Sequence, residues 1–159
     1  MLTSETDFHG WLLNQAGALR ARDYESVDWD GLAEELEIMG SRERRELREH
    51  LTNLLLHLLK LKYQPHAVYR YKSWRDSIHA ARDQIANMLE DSPGIFQSKR
   101  DEVLARAYSQ ARRRAAAQLD KPESIFPPTC PWGYEQMMER EFFPGLTKSR
   151  HVVSRSGRK

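Results

Sequence analysis

The sequence predicts an all-α protein: an antiparallel bundle of four main helices, completed by a C-terminal strap and a short helix. Three observations predict it. Leu32, Leu36, Met39, Leu47, Leu54, Leu58 and Leu61 recur at steps of three and four across residues 27–64, which draws one apolar stripe along a long helix that needs partner helices. Three other segments repeat that period, and the connections between them are short, which favours antiparallel neighbours. No segment shows the strict alternation of a half-buried strand.

Taken in order, the first helix begins near Thr6 or Asp7, either of which can accept a bond from a free N–H of the first turn, and Phe8, Trp11, Leu12 and Leu19 share one face. Asp28 caps the second helix. Gly40-Ser41 offers a stop and a fresh cap within it, but the stripe keeps its phase there, so the spacing allows one helix with at most a kink, or two helices. From Tyr63 to Lys72 the pattern fails, and Pro65 interrupts any continuous helix. Ser73, with Asp76 three residues on, caps the third helix, whose buried face is Trp74, Ile78, Ile85 and Leu89 with Arg82 inside it. Asp91-Ser92-Pro93-Gly94 ends that helix. Val103, Leu104, Ala107, Tyr108, Ala111 and Ala115 then give the fourth a narrow stripe that lets a neighbour come close. Lys121 to Pro131 is a proline-rich strap carrying Ile125 and Phe126, and Trp132 to Phe143 forms the last short helix.

The 159 residues suit one domain, expected over 1–144, followed by a basic tail, 145–159, with the composition of a disordered end. That tail holds Lys148, Arg150, Arg155, Arg158 and Lys159 and no acid, so the net charge of +2 hides a body with 20 bases against 23 acids. A hydrophobic fraction of 40%, a mean hydropathy of −0.75 and the lack of any apolar run near the roughly 20 residues of a bilayer span exclude a membrane protein. The N-terminus has no secretory pattern and Cys130 is the only cysteine, so the expected location is the cytoplasm.

Several separated blocks carry a resemblance. DWDGLAEELEIMG at Asp28 to Gly40, RREL at Arg44 to Leu47, LLLHLLKLKYQP at Leu54 to Pro65, SWRDSIHAAR at Ser73 to Arg82 and FPPTCPW at Phe126 to Trp132 together resemble the bacterial family called domain of unknown function 29. The resemblance runs in order over roughly Asp7 to Pro144 and leaves the tail outside. It implies a helical fold in a small bacterial protein and brings no activity.

Polar residues on the apolar stripes are the candidate site. Glu43, His50 and His57 are spaced by seven, about 10 Å apart along a helix axis, too far for one metal to join all three. Glu46 and His50, four apart, are the pair that would hold a metal if one were present, with ligands from facing helices. No metal and no cofactor are expected, because Arg82 is a permanent cation and an Arg82 bridge to Glu46 or Glu43, with the histidines beside it, satisfies these groups. A second candidate is the turn Lys60 to Arg75, where Lys60, Lys62, Arg70, Lys72 and Arg75 alternate with Tyr63, Tyr69, Tyr71 and Trp74; basic and aromatic residues together suit single-stranded nucleic acid, and Arg112-Arg113-Arg114 and the tail would extend the patch. Cys130 and Ser73 read as a small filler and a cap rather than nucleophiles. The best reading is a non-enzymatic interaction module that binds a protein partner or itself. The alternatives are a nucleic-acid-binding protein using that turn and tail, and a metal-binding protein or enzyme built on Glu46, His50, His57 and Arg82.

Overall fold

The structure, a computed structural model, describes residues 6–146 apart from Pro65 and Ser98. Six α-helices follow in order: α1 Phe8–Ala21, α2 Trp29–Tyr63, α3 Tyr71–Asp91, α4 Gly94–Gln97, α5 Arg100–Leu119 and α6 Tyr134–Met138, with 3₁₀ turns at Val68–Arg70 and Glu123–Ile125. There is no strand among the described residues. The fold is an all-α helical bundle, as the apolar periods predict. The basic tail falls outside the described residues from 147 onward.

The chain clusters into two compact units that divide between Arg45 and Glu46. In the first, two Asp-x-x-Gly sequences start the two helices. Asp7 Oδ1 accepts from the Gly10 N–H at 2.9 Å, and Asp28 Oδ1 from the Gly31 N–H at 3.0 Å, each filling a bond that the open first turn lacks. A Cβ on either glycine would lie 2.4 Å from the capping carboxylate, so a larger residue there would push the carboxylate from its present position. The second carboxylate oxygen of Asp28 accepts from the Trp11 indole at 3.2 Å, and Gln15 Oε1 accepts from the Asp28 N–H at 2.7 Å. These bonds explain why Trp11 and Gln15 are the buried side chains of α1. α1 closes on Arg22, in the left-handed region at φ 57°, whose N–H bonds back to the last turn.

The second unit holds the main core. Between Leu47 and Leu61, leucines on more than half of the circumference of α2 are buried, meeting Trp74, Ile78 and Ile85 of α3 and Val103, Ala107, Tyr108, Ala111 and Ala115 of α5 in one cluster. The strap adds Phe126, and α6 adds Met137. Tyr63 meets Phe126 edge-on at 5.0 Å, the Tyr108 hydroxyl donates to the Pro127 carbonyl at 2.7 Å, and Arg112 reaches the Pro128 and Glu123 carbonyls. The strap is thus fixed along α5, as expected of its apolar residues.

Of the two paths that the spacing allows at Gly40-Ser41, the chain takes the continuous one: α2 runs unbroken there, as a stripe in phase on both sides favours. Three local expectations change. Ser73 is not a cap: the 3₁₀ turn at Val68–Arg70 already winds the chain, α3 starts at Tyr71, and Asp76 instead pairs with Lys72 at 2.9 Å. The last helix is only Tyr134–Met138, since the carbonyls after it turn toward Arg82, as described below. Finally, Leu36 and Met39 are exposed, at 67% and 59%, although they stand in phase with the buried leucines of the same helix.

Candidate functional site

Arg82 organises the polar centre of the second unit. It is 2% exposed on the buried face of α3, as its phase with Ile78 and Ile85 requires. Its Nε donates to the Met137 carbonyl at 2.7 Å, Nη1 to that of Arg140 at 3.2 Å and Nη2 to that of Phe142 at 2.7 Å. The ring of Phe143 lies 5.3 Å from its guanidinium carbon. Burial first, and then the neighbouring charge of Arg140, lowers its pKa to about 10, so it remains a cation at neutral pH. A planar fork of donors suits three carbonyls at the frayed end of a short helix, and Arg82 pins residues 137–142 to α3. It makes no bridge to Glu46 or Glu43; sequence alone could not show that carbonyls some sixty residues away would take the donors.

The other members of the candidate cluster do not join it. Glu43 lies in the first unit and is exposed. Glu46 Oε1 stands 3.8 Å from His50 Nε2, a loose pair with the glutamate two-thirds exposed. His57 is partly buried, its Nδ1 has no hydrogen-bond partner, and burial together with Lys60 lowers its pKa to about 4. At neutral pH it is therefore a neutral imidazole, between Leu56 and Leu58 in the chain. Among the described residues no three His, Cys, Asp or Glu side chains converge as a metal site.

In the basic turn, most cations lie over aromatic rings of the chain itself. Lys60 sits 5.9 Å from the Trp74 ring, Lys62 5.7 Å from that of Trp132, Arg70 5.3 Å from that of Tyr69 and Arg75 4.6 Å from that of Phe143. Trp74 is buried and Tyr63 partly so, whereas Tyr69 is exposed beside Arg70. The three consecutive arginines diverge: Arg112 holds the strap, Arg114 pairs with Glu49 at 3.0 Å, and Arg113 joins Arg48, Arg106 and Gln110 around a small cleft.

Sequence reasoning did not find the cavity of about 580 Å³ between α5 and the strap, lined by Leu55, Leu104, Tyr108, Cys130, Trp132 and Met137 among others. Its reactive groups are quiet. Burial raises the Cys130 thiol, which donates to the Trp132 carbonyl at 3.4 Å, and pushes the Tyr108 phenol up to about 12. A protonated thiol without a base is a poor nucleophile.

The most exposed apolar surface lies elsewhere, in the first unit. Phe8, Leu12, Leu13, Leu19, Tyr24, Trp29, Leu36 and Met39 are all exposed, and among the described residues only Tyr69 and Ile125 of the large exposed hydrophobics belong to the other unit. The spacing of Phe8, Leu12 and Leu19 puts them on one face of α1, and that of Trp29, Leu36 and Met39 on one side of α2.

An all-α protein in which a buried arginine is held by backbone carbonyls, with exposed apolar residues on its N-terminal helices, is the class that this geometry defines. The model of the family described as domain of unknown function DUF29 matches residues 4–143, and the chain belongs to that family. Neither a curated protein nor a solved structure matches it. Among the described residues, no helix is long and apolar enough to cross a membrane.

Proposed function

We propose that this chain is a non-enzymatic interaction module that works by binding a protein through its N-terminal helices. The observation that carries this reading is the uncovered apolar surface of the first unit, where eight large hydrophobic side chains meet solvent. Exposed apolar residues that share a helix face, as those of α1 and of α2 each do, mark an interaction site more often than the same residues scattered singly. The polar centre supports the same reading, because Arg82 is committed to three carbonyls and burial lowers the pKa of His57 to about 4, far below what a base at neutral pH needs.

Carbene footprinting tests it. In dilute purified protein, Leu36 and Met39 are expected to label strongly. In the cells that make the protein they are expected to be protected, while exposed Tyr69 labels equally in both. Equal labelling of Leu36 and Met39 in both settings would overturn the reading.

A further inference from the structure

The exposed stretch of α2 has three features that together name its occupant. Its apolar stripe is bare at Leu36 and Met39. Gly40 stands on that stripe, one turn on from Leu36, and among the described residues nothing beyond the backbone of its own turns and its chain neighbours comes within 4 Å of where its Cβ would be. A glycine inside an exposed helix lowers its stability relative to alanine, and here no contact within the chain calls for it. The third feature is charge order. Asp30, Glu34, Glu35 and Glu37 precede the glycine and Arg42, Arg44 and Arg45 follow it, with Glu43 the one acid among them. None of these residues enters a salt bridge among the described residues, and Arg44 reaches only the Ser41 hydroxyl, at 3.2 Å. Neither Glu37 nor Arg44 has an opposite charge three or four residues away on its own helix.

We infer that this face takes a second copy of the same chain, with the two α2 helices crossing antiparallel about a two-fold axis between Gly40 and Ser41. The inference rests on the proposed interaction role and narrows it to self-association. A two-fold contact is self-complementary. An antiparallel arrangement about this axis sets Glu37 of each copy opposite the partner's Arg44, on the same flank of the apolar stripe. The order of charge that prevents pairing within one helix allows it between two. Gly40 then has a purpose: where two helices cross on a small residue, their backbones approach and Leu36 packs beside the crossing. A parallel arrangement would set Glu37 against Glu37 and Arg44 against Arg44, so this pair favours the antiparallel direction.

Two sets of variants of the full chain, compared by sedimentation equilibrium and non-reducing electrophoresis, test this. In a Cys130→Ser background, Gly40→Cys is expected to form an intermolecular disulfide under mild oxidation, because the axis brings the two positions together. Asp30→Cys is expected not to, since its two copies would lie about 30 Å apart. Glu37→Arg and Arg44→Glu are each expected to weaken the dimer about tenfold, and the double reversal to restore it. A chain that is monomeric throughout, equal cross-linking at 30 and 40, or a double reversal no better than the singles would each overturn the inference. If Leu36 and Met39 stay protected in cells while Gly40→Cys fails to cross-link, self-association falls and another protein partner stands. If protection is absent as well, both fall.

Discussion

Arg82 Nε and the Met137 carbonyl lie 2.7 Å apart, across a separation of fifty-five residues that joins the middle of α3 to the end of α6. This contact, with those to Arg140 and Phe142, makes one side chain the anchor of the C-terminal segment. Arg82→Met is therefore expected to cost about 2–4 kcal/mol, because it strands buried carbonyls as well as removing three bonds. Arg82→Lys should recover only part of this, since an ammonium cannot match the three-pronged fork. Urea denaturation measures both, and limited proteolysis should show new cleavage in residues 139–146 before the core opens. Equal stability of the Lys variant and the wild type would refute the anchoring role.

His57 sets a pH dependence of definite sign. Its folded pKa, about 4, lies below the ordinary value of 6.5, so the unfolded chain takes up the proton first. Its contribution is complete above about pH 6.5 and is lost as the pH falls toward 4. Partial exposure limits the effect to about 1–2 kcal/mol. Stability curves at pH 7 and pH 4.5 should differ by less in His57→Gln than in wild type. An NMR titration that puts the imidazole near 6.5 would contradict the assignment.

The Asp28–Gly31 start of α2 predicts a coupled pair of substitutions. Asp28→Ala loses the cap on Gly31 and the bond from Trp11, for about 1–2 kcal/mol. Gly31→Ala forces a Cβ against the same carboxylate and should cost about 1 kcal/mol or more. With the carboxylate already gone, Gly31→Ala should be neutral or stabilising, because alanine is the better helix former. Thermal unfolding of the four proteins in the cycle measures the coupling, and simple additivity would rule it out.

Leu36 and Leu54 stand on the same stripe and should respond in opposite ways. Leu54→Ala removes a fully buried side chain and should cost about 2–5 kcal/mol. Leu36→Glu alters a side chain that meets solvent and should change monomer stability by no more than about 0.5 kcal/mol. Denaturation at low protein concentration separates the two.

That contrast also shows how far the sequence could be read. The stripe from Leu32 to Leu61 correctly placed a long helix, and the phase of Arg82 with Ile78 and Ile85 correctly placed a buried cation. Periodicity reports which residues share a face; it does not report what covers that face. Hence Leu36 and Met39 looked like core, and Arg82 looked like half of an ion pair when its partners are carbonyls, which leave no mark in the sequence. Ser73 and Asp76 have the spacing of a cap, but the 3₁₀ turn before Tyr71 started the helix earlier. Asp7 and Asp28 were legible as caps, and their carboxylates do accept from the first turns of α1 and α2; the glycine three residues after each was the part that the sequence did not explain.

The central claim is that the N-terminal helices present a protein-binding surface, and a photo-activated cross-linking residue at position 36 tests it most directly, with position 86, also exposed, as the control. In cells that make the protein, position 36 is expected to yield one defined covalent adduct with a polypeptide, and position 86 none. An adduct of twice the chain mass identifies a second copy, and any other single mass identifies a different partner. No adduct at position 36, or the same scatter of products from both positions, would contradict the account.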